Sequence, residues 1–239
     1  MEEYNTQNYT AKQKMENFWY HYKWHTIIAL FLIFAILICS LQFCGRTEYD
    51  AYVMIATDYQ VKKTATGGNS AEAVEIVSAL RRAVKDYDES GDINISLFDL
   101  FYLPASEISR YEKEHGVSLD LGMLDENNTA LYDQMMFGDY YVMLISPAVY
   151  EKYSDFEGQT NVFENISEYA DGTDAELYSD YAVKLSSLEF YELAGICNLP
   201  SDTLLCLRRY SEMSTLLSSK ENKANYDRSK EIIANIINY

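Results

Sequence analysis

Residues 131–147 read LYDQMMFGDYYVMLISP. Its opening residues belong to a short helix over Thr129–Phe137, Gly138-Asp139 breaks it, and Tyr140–Ile145 (YYVMLI) is an apolar run of strand length. Ser146-Pro147 then opens another helix, since proline is tolerated in a first turn where its missing N–H has no partner to lose. Helix, break, apolar strand and new helix in so short a stretch indicate an α/β unit. A strand this uniformly apolar belongs to a sheet covered on both faces.

The same alternation continues on either side. Tyr49–Thr57 (YDAYVMIAT) reads as a buried strand, Lys62–Asn69 as a polar loop, and a helix follows from about Ser70. Asn69 with Glu72 three residues later fits a capping box, and Ala73, Val77, Leu80, Val84 and Tyr87 recur at helical period. Ile93–Leu103 (INISLFDLFYL) is a second strand, and Ala105–His115 a charged helix stopped by Gly116. Val117–Leu124 reads as a short strand. Beyond a more polar region, Ala182–Leu188 and Thr203–Arg208 are further strands, and Tyr226–Asn238 closes the chain as an amphipathic helix. The expectation is a largely parallel sheet with helices on both faces over residues 46–239.

A different kind of segment precedes this domain. From Trp24 to Gly45, 22 residues pass without a charged side chain, and Thr26–Phe43 reads TIIALFLIFAILICSLQF. At helical rise such a stretch spans about 30 Å, enough to cross a bilayer core. Residues 26–43 are therefore read as a transmembrane helix with the lipid bilayer as its partner, and 1–25 as a cytoplasmic and interfacial N-terminus. Phe18, Trp19, Tyr20, Tyr22 and Trp24 form an aromatic belt before the span, holding both tryptophans of the chain. Lys12, Lys14 and Lys23 precede the span while Arg46 alone follows closely, which places the N-terminus in the cytoplasm and residues 46–239 outside. The apolar run exceeds a signal peptide's and no small-residue cleavage site follows. Leu41–Gly45 faintly resembles a lipoprotein box, but bulky Phe43 makes lipidation of Cys44 the lesser reading.

The chain has 239 residues with 19 basic and 37 acidic side chains, a net charge of −18. Residues 1–44 carry three lysines and three glutamates, so all of that excess lies beyond Cys44. Such a surface is unsuited to nucleic acid or anionic lipid. Cys197 and Cys206 are spaced for a short disulfide loop, but Cys206 within LLCL reads better as a small apolar strand residue. The three histidines, two of them (His21, His25) beside the span, form no zinc set, and no nucleophile–base pair is visible. No cofactor and no catalysis are expected.

Asp86-Tyr-Asp88-Glu-Ser90-Gly91-Asp92 matches the first half of an EF-hand-type Ca²⁺ loop, with oxygen ligands at positions 1, 3 and 5. Leu97 occupies position 12, where a bidentate glutamate is needed, and a strand follows instead of a helix. An ordinary acidic turn is the preferred reading, with Asp86, Asp88, Ser90 and Asp92 the lesser calcium set.

The helix–Gly-Asp–strand element of residues 131–147 resembles that of bacterial extracellular solute-binding proteins of the periplasmic-binding-protein-like II type, and the element order from Tyr49 to Tyr153 is similar to one of their lobes. Tyr20–His25 entering the apolar span resembles small membrane proteins of clostridia-like Firmicutes that carry such domains. With 195 residues beyond Cys44 this chain is a reduced form. The resemblance implies a ligand beyond the carboxyl ends of the strands, where Asp58, Tyr59, Tyr102 and Ser146 stand. It implies an anchored extracytoplasmic protein that recognises a small solute, peptide or glycan. The alternative is a structural or assembly protein of the cell envelope, bound to a protein partner, whose similar domain has lost its pocket.

Overall fold

The computed structural model describes residues 10–44, 49–61, 70–155, 161–210 and 219–239. The chain forms two compact units, Met1–Thr47 and Glu48–Tyr239. In the first, α1 (Ala11–Cys44) is one continuous helix through both the aromatic approach and the apolar run. Its stretch Phe18–Cys39 is long and apolar enough to cross a membrane. Phe18 stacks on Tyr22 at 5.2 Å and Tyr22 meets His25 edge-on at 6.1 Å, the i, i+4 and i+3 neighbours of a helix surface.

The second unit is an α/β domain on a six-stranded sheet, in the order β2-β1-β3-β6-β5-β4. The strands are β1 (Ala51–Thr57), β2 (Ile95–Phe101), β3 (Val142–Ile145), β4 (Leu177–Ser179), β5 (Ala182–Lys184) and β6 (Leu204–Leu207). β1 runs parallel to β2 on one side and to β3 on the other, with Ala56 beside both Leu100 and Ile145. From β3 onward every pairing is antiparallel, which corrects the largely parallel sheet expected from the sequence. Parallel neighbours need a long crossover, usually a helix. Asp180-Tyr181 alone joins β4 to β5, and only short 3₁₀ turns lie between β5 and β6.

Helices cover both faces. α2 (Ala71–Leu80) links β1 to β2 and packs Ile76, Ala79 and Leu80 with Val53 and Ile55 on the first face. α3 (Ile108–His115) and α4 (Leu121–Phe137) link β2 to β3, and α4 packs Leu131 and Met135 with Met54 and Ala56 on the opposite face. The two links step across the sheet in opposite directions, so right-handed crossovers put their helices on opposite sides. α5 (Pro147–Ser154) lies on the α4 side through Val149, Tyr150 and Tyr153. A single turn, α6 (Ser167–Ala170), precedes β4. α7 (Ser219–Ile237) lays Tyr226, Ile232, Ile233, Ile236 and Ile237 on the α2 side.

Several elements differ in extent from the sequence expectation. Val117–Leu124 is no strand: Asp120 accepts from the backbone N–H of Gly122 and Met123 and starts α4 there, eight residues before Thr129. The cap of α2 is Ser70, whose hydroxyl accepts from Ala73 N–H, and the Asn69 cap falls outside the described residues, as does the whole Lys62–Asn69 loop. Ala182–Leu188 turns into 3₁₀ structure after Lys184. The Cys44 side chain and Arg46 are outside the described residues. Cys197 and Cys206 are both free; Cys206 belongs to the α4-side core, whereas Ile196 beside Cys197 belongs to the other, so the sheet separates the two thiols.

Candidate functional site

The strand order creates one place where backbone chains part. β1 hands over toward α2 on one face, while adjacent β3 hands over directly to α5 on the other. Open α/β sheets form their ligand crevice at such a switch point, beyond the carboxyl ends of the parallel strands. Register fixes which residues stand there. Ala56 pairs with Ile145, and Ile145 with Leu204, so one step outward sets Thr57, Ser146 and Thr203 in a row across β1, β3 and β6. Thr57 and Thr203 are fully buried and Ser146 nearly so. Alternation puts all three on the side of Ile55, Leu144 and Leu205.

The hydroxyls differ in their engagements. Thr57 Oγ1 donates to Tyr59 O and accepts from Tyr59 N–H, both at 3.2 Å, closing the turn after β1. Ser146 Oγ accepts from Val149 N–H at 3.4 Å as the cap of α5, and its own N–H continues the ladder to Ala56 O. Thr203 Oγ1 has no hydrogen-bond partner among the described residues. Asp58 follows Thr57 and Asp202 precedes Thr203; both are exposed. Burial of its carboxyl, then the negative charge of Asp202, raises the pKa of Asp58, with Glu107 adding to and His115 opposing the shift. Tyr111 feels the charge of Asp58, and Tyr191 that of Asp202, each after the larger effect of burial.

Of the four residues singled out in the sequence, Asp58 and Ser146 stand at this crevice on adjacent strands. Tyr59 packs on the α2 side and donates its hydroxyl to Glu72. Burial and that bond push its pKa up to about 12. Tyr102 lies on the α4 side, buried, with the Lys152 ammonium 5.1 Å above its ring and 5.3 Å from that of Tyr153. Sequence reasoning missed Thr57, Asp202 and Thr203. The last two come from the amino end of a strand, and only an antiparallel β6 brings an amino end to this edge. The available signal was Ser201-Asp202-Thr203, a polar run directly before LLCL.

At the amino edge, the carboxylates of Asp50, Asp86 and Asp88 offer ligand atoms within 4.8 Å of one another. Asp50 is buried and accepts from Tyr87 N–H and Asn94 N–H, each at 2.8 Å. Asp86 and Asp88 accept from Ser90 N–H, and Asp86 also from Gly91 N–H. These bonds, with the Ser90 hydroxyl first among them, lower the pKa of Asp88. Ser90 Oγ donates to the backbone carbonyl of Asp92, and the Asp92 carboxylate is not one of the trio. β2 follows this loop, and the carboxylates hold together a tight turn in which Glu89 and Gly91 take positive φ.

Comparison of the chain with protein-family models, characterised proteins and solved structures yields no match in any of the three.

Proposed function

We propose that this is a single-pass membrane protein of the bacterial cell envelope, with a cytoplasmic N-terminus, whose extracytoplasmic domain recognises a small solute, peptide or glycan without catalysis. The observation that carries the reading is the crevice at the β1–β3 switch point. Open α/β sheets place ligands there because backbone diverges to opposite faces and leaves polar strand ends uncovered. The aromatic belt of Trp19, Tyr20, Tyr22 and Trp24 and the apolar stretch Phe18–Cys39 support the anchor. The β2-β1-β3 order with opposed helices supports a lobe like that of solute-binding proteins.

A specific observation favours a second reading, an assembly protein without a working pocket. Tyr59, Tyr102 and Ser146 all have structural engagements, with Glu72, the α4-side core and the cap of α5. A thermal-shift screen of the full chain in nanodiscs separates the two, using sugars, amino acids, short peptides and divalent metals. Recognition predicts a concentration-dependent rise in Tm with one class and its loss in Asp58→Ala. A flat response across the panel selects the assembly reading.

A further inference from the structure

We infer that the outer edge of β2, with the rings of Tyr52, Phe98 and Tyr140 beside it, docks an extended peptide carrying lysine or arginine at alternate positions. The site is separate from the crevice, at the end of β1 and β2 away from Thr57. An open sheet edge is a template for another strand, and proteins usually guard it by brevity, a bulge, lysine or proline. This sheet guards one edge alone. β4 has three residues and a shifted register against β5. β2 has seven, in unbroken register with β1, and holds neither lysine nor proline. Hydrogen bonds show which of its groups face outward. Asp50 N–H donates to Asn94 O and Tyr102 N–H to Thr57 O, both at 2.8 Å, so even-numbered residues face β1 and odd-numbered ones face away. At the far end Phe101 O is covered by Asn127 Nδ2. The outward N–H and C=O groups of Ile95 and Leu97 have no such partner among the described residues.

The side chains beside this edge choose the kind of strand. Tyr140 lies 5.4 Å from Phe98 and edge-on to Tyr52 at 5.6 Å, and its hydroxyl bonds Ser96 Oγ at 2.8 Å. Tyr49 extends the row, edge-on to Tyr52 at 5.6 Å. Phe98 and Tyr140 are on the α4 side, where alternation also puts Tyr52 with Met54. All three are half-buried and Tyr49 is exposed, so the helices leave this end of the face open. Its charge is of one sign. Between Lys85 and Arg110 the sequence holds six acidic side chains and no basic one. Asp139 beside Tyr140 is exposed, and its charge and that of Glu221 follow burial in raising the Tyr52 pKa. Rings and carboxylates together favour a cationic side chain, and unpaired backbone favours an extended chain. A second copy of this chain would bring the same acids to the same edge, where like charges repel.

The test is calorimetry on the full chain in phosphatidylcholine nanodiscs with a capped heptapeptide of alternating lysine and valine. Its controls are the glutamate–valine peptide and the lysine–valine peptide methylated at every backbone nitrogen. Saturable binding of the first is expected, and affinity at least tenfold lower for each control. The methylated peptide keeps the charge and needs no altered protein, so it reads strand pairing even where a variant fails to fold. Tyr52→Leu and Phe98→Leu should each weaken binding several-fold. Equal binding of either control peptide would overturn the inference, as would undiminished affinity in folded Tyr52→Leu and Phe98→Leu. A dimer of the free chain in detergent that Leu97→Pro dissociates would give the edge to a second copy and overturn it too. Silence of the lysine–valine peptide overturns it and leaves the crevice reading as it stands.

Discussion

Gly195 stands at φ +88°, and a Cβ built there would lie 2.5 Å from the backbone nitrogen of Ile76. The 3₁₀ turns before β6 can press against α2 only because this residue has no side chain. Gly195→Ala combines a φ that L-residues avoid with a clash against backbone, and should cost about 3 kcal/mol. Gly116, at φ +65° with nothing within 4 Å, ends α3 in the left-handed region and isolates the conformational part. Gly116→Ala should cost about 1 kcal/mol in the same denaturant titration. Equal losses in the two variants would contradict the close approach. Asp58 gives a residue-scale prediction in pH. Raised by its own burial and by the charges of Asp202 and Glu107, against a backbone hydrogen bond and His115, its carboxyl has a folded pKa above the ordinary 3.8. The folded state thus keeps this proton to higher pH than the unfolded chain does. The resulting penalty is absent below the ordinary value, grows up to the folded value and is complete above it. Asp58→Asn should raise Tm at pH 7, with the difference from wild type closing as pH falls through the carboxylate range.

Among the elements, one side chain ties the end of α4 to β3 and β6. Arg208, just past β6, is 1% exposed and donates to the carbonyls of Met135, Gly138 and Tyr140, with its guanidinium 4.5 Å over the Tyr141 ring. Burial lowers its pKa, while the charge of Asp139 and the Tyr141 hydroxyl oppose that shift. These carbonyls end α4 and lead into β3, so a single planar fork closes the break that Gly138-Asp139 opens. Arg208→Met would leave buried carbonyls unpaired and should cost about 2–4 kcal/mol. Arg208→Lys should not restore the loss, since an ammonium lacks the fork geometry; full rescue in chemical unfolding would refute that account. The sequence hints at none of this, because Arg208 follows LLCL like any charged residue bounding a strand. β1 and β3 were legible for the opposite reason: their runs YVMIA and VMLI are apolar at every position, as strands covered on both faces must be. The start of α4 was hidden because VSLDLGML alternates like a strand and Gly122 is a poor helix former. Strand direction was illegible altogether. LLCL reads the same either way, and only the register Ile145↔Leu204 brings Asp202 and Thr203 to the crevice.

For the whole molecule, the placement of the −18 charge and the two thiols allow one test of topology. All of the acid excess lies beyond residue 44, and the segment before it is neutral, so on the proposed anchoring the second unit presents a surface that anionic lipid does not attract. On the proposed orientation this unit faces outward. Cys197 is exposed, whereas Cys206 is completely buried in the sheet and its thiol pKa is pushed well up by desolvation. Thiolate is the reactive form, so burial and its raised pKa both protect Cys206. In a Cys39→Ser/Cys44→Ser background, a membrane-impermeant maleimide added to intact cells should label Cys197 and leave Cys206 unmodified until denaturant is added. Cys197→Ser should abolish the native signal, and Cys206→Ser should leave it intact. Labelling that appears only after the cells are permeabilised would put the domain in the cytoplasm, reverse the positive-inside assignment made from Lys12, Lys14 and Lys23, and remove any access of the crevice to extracellular solutes.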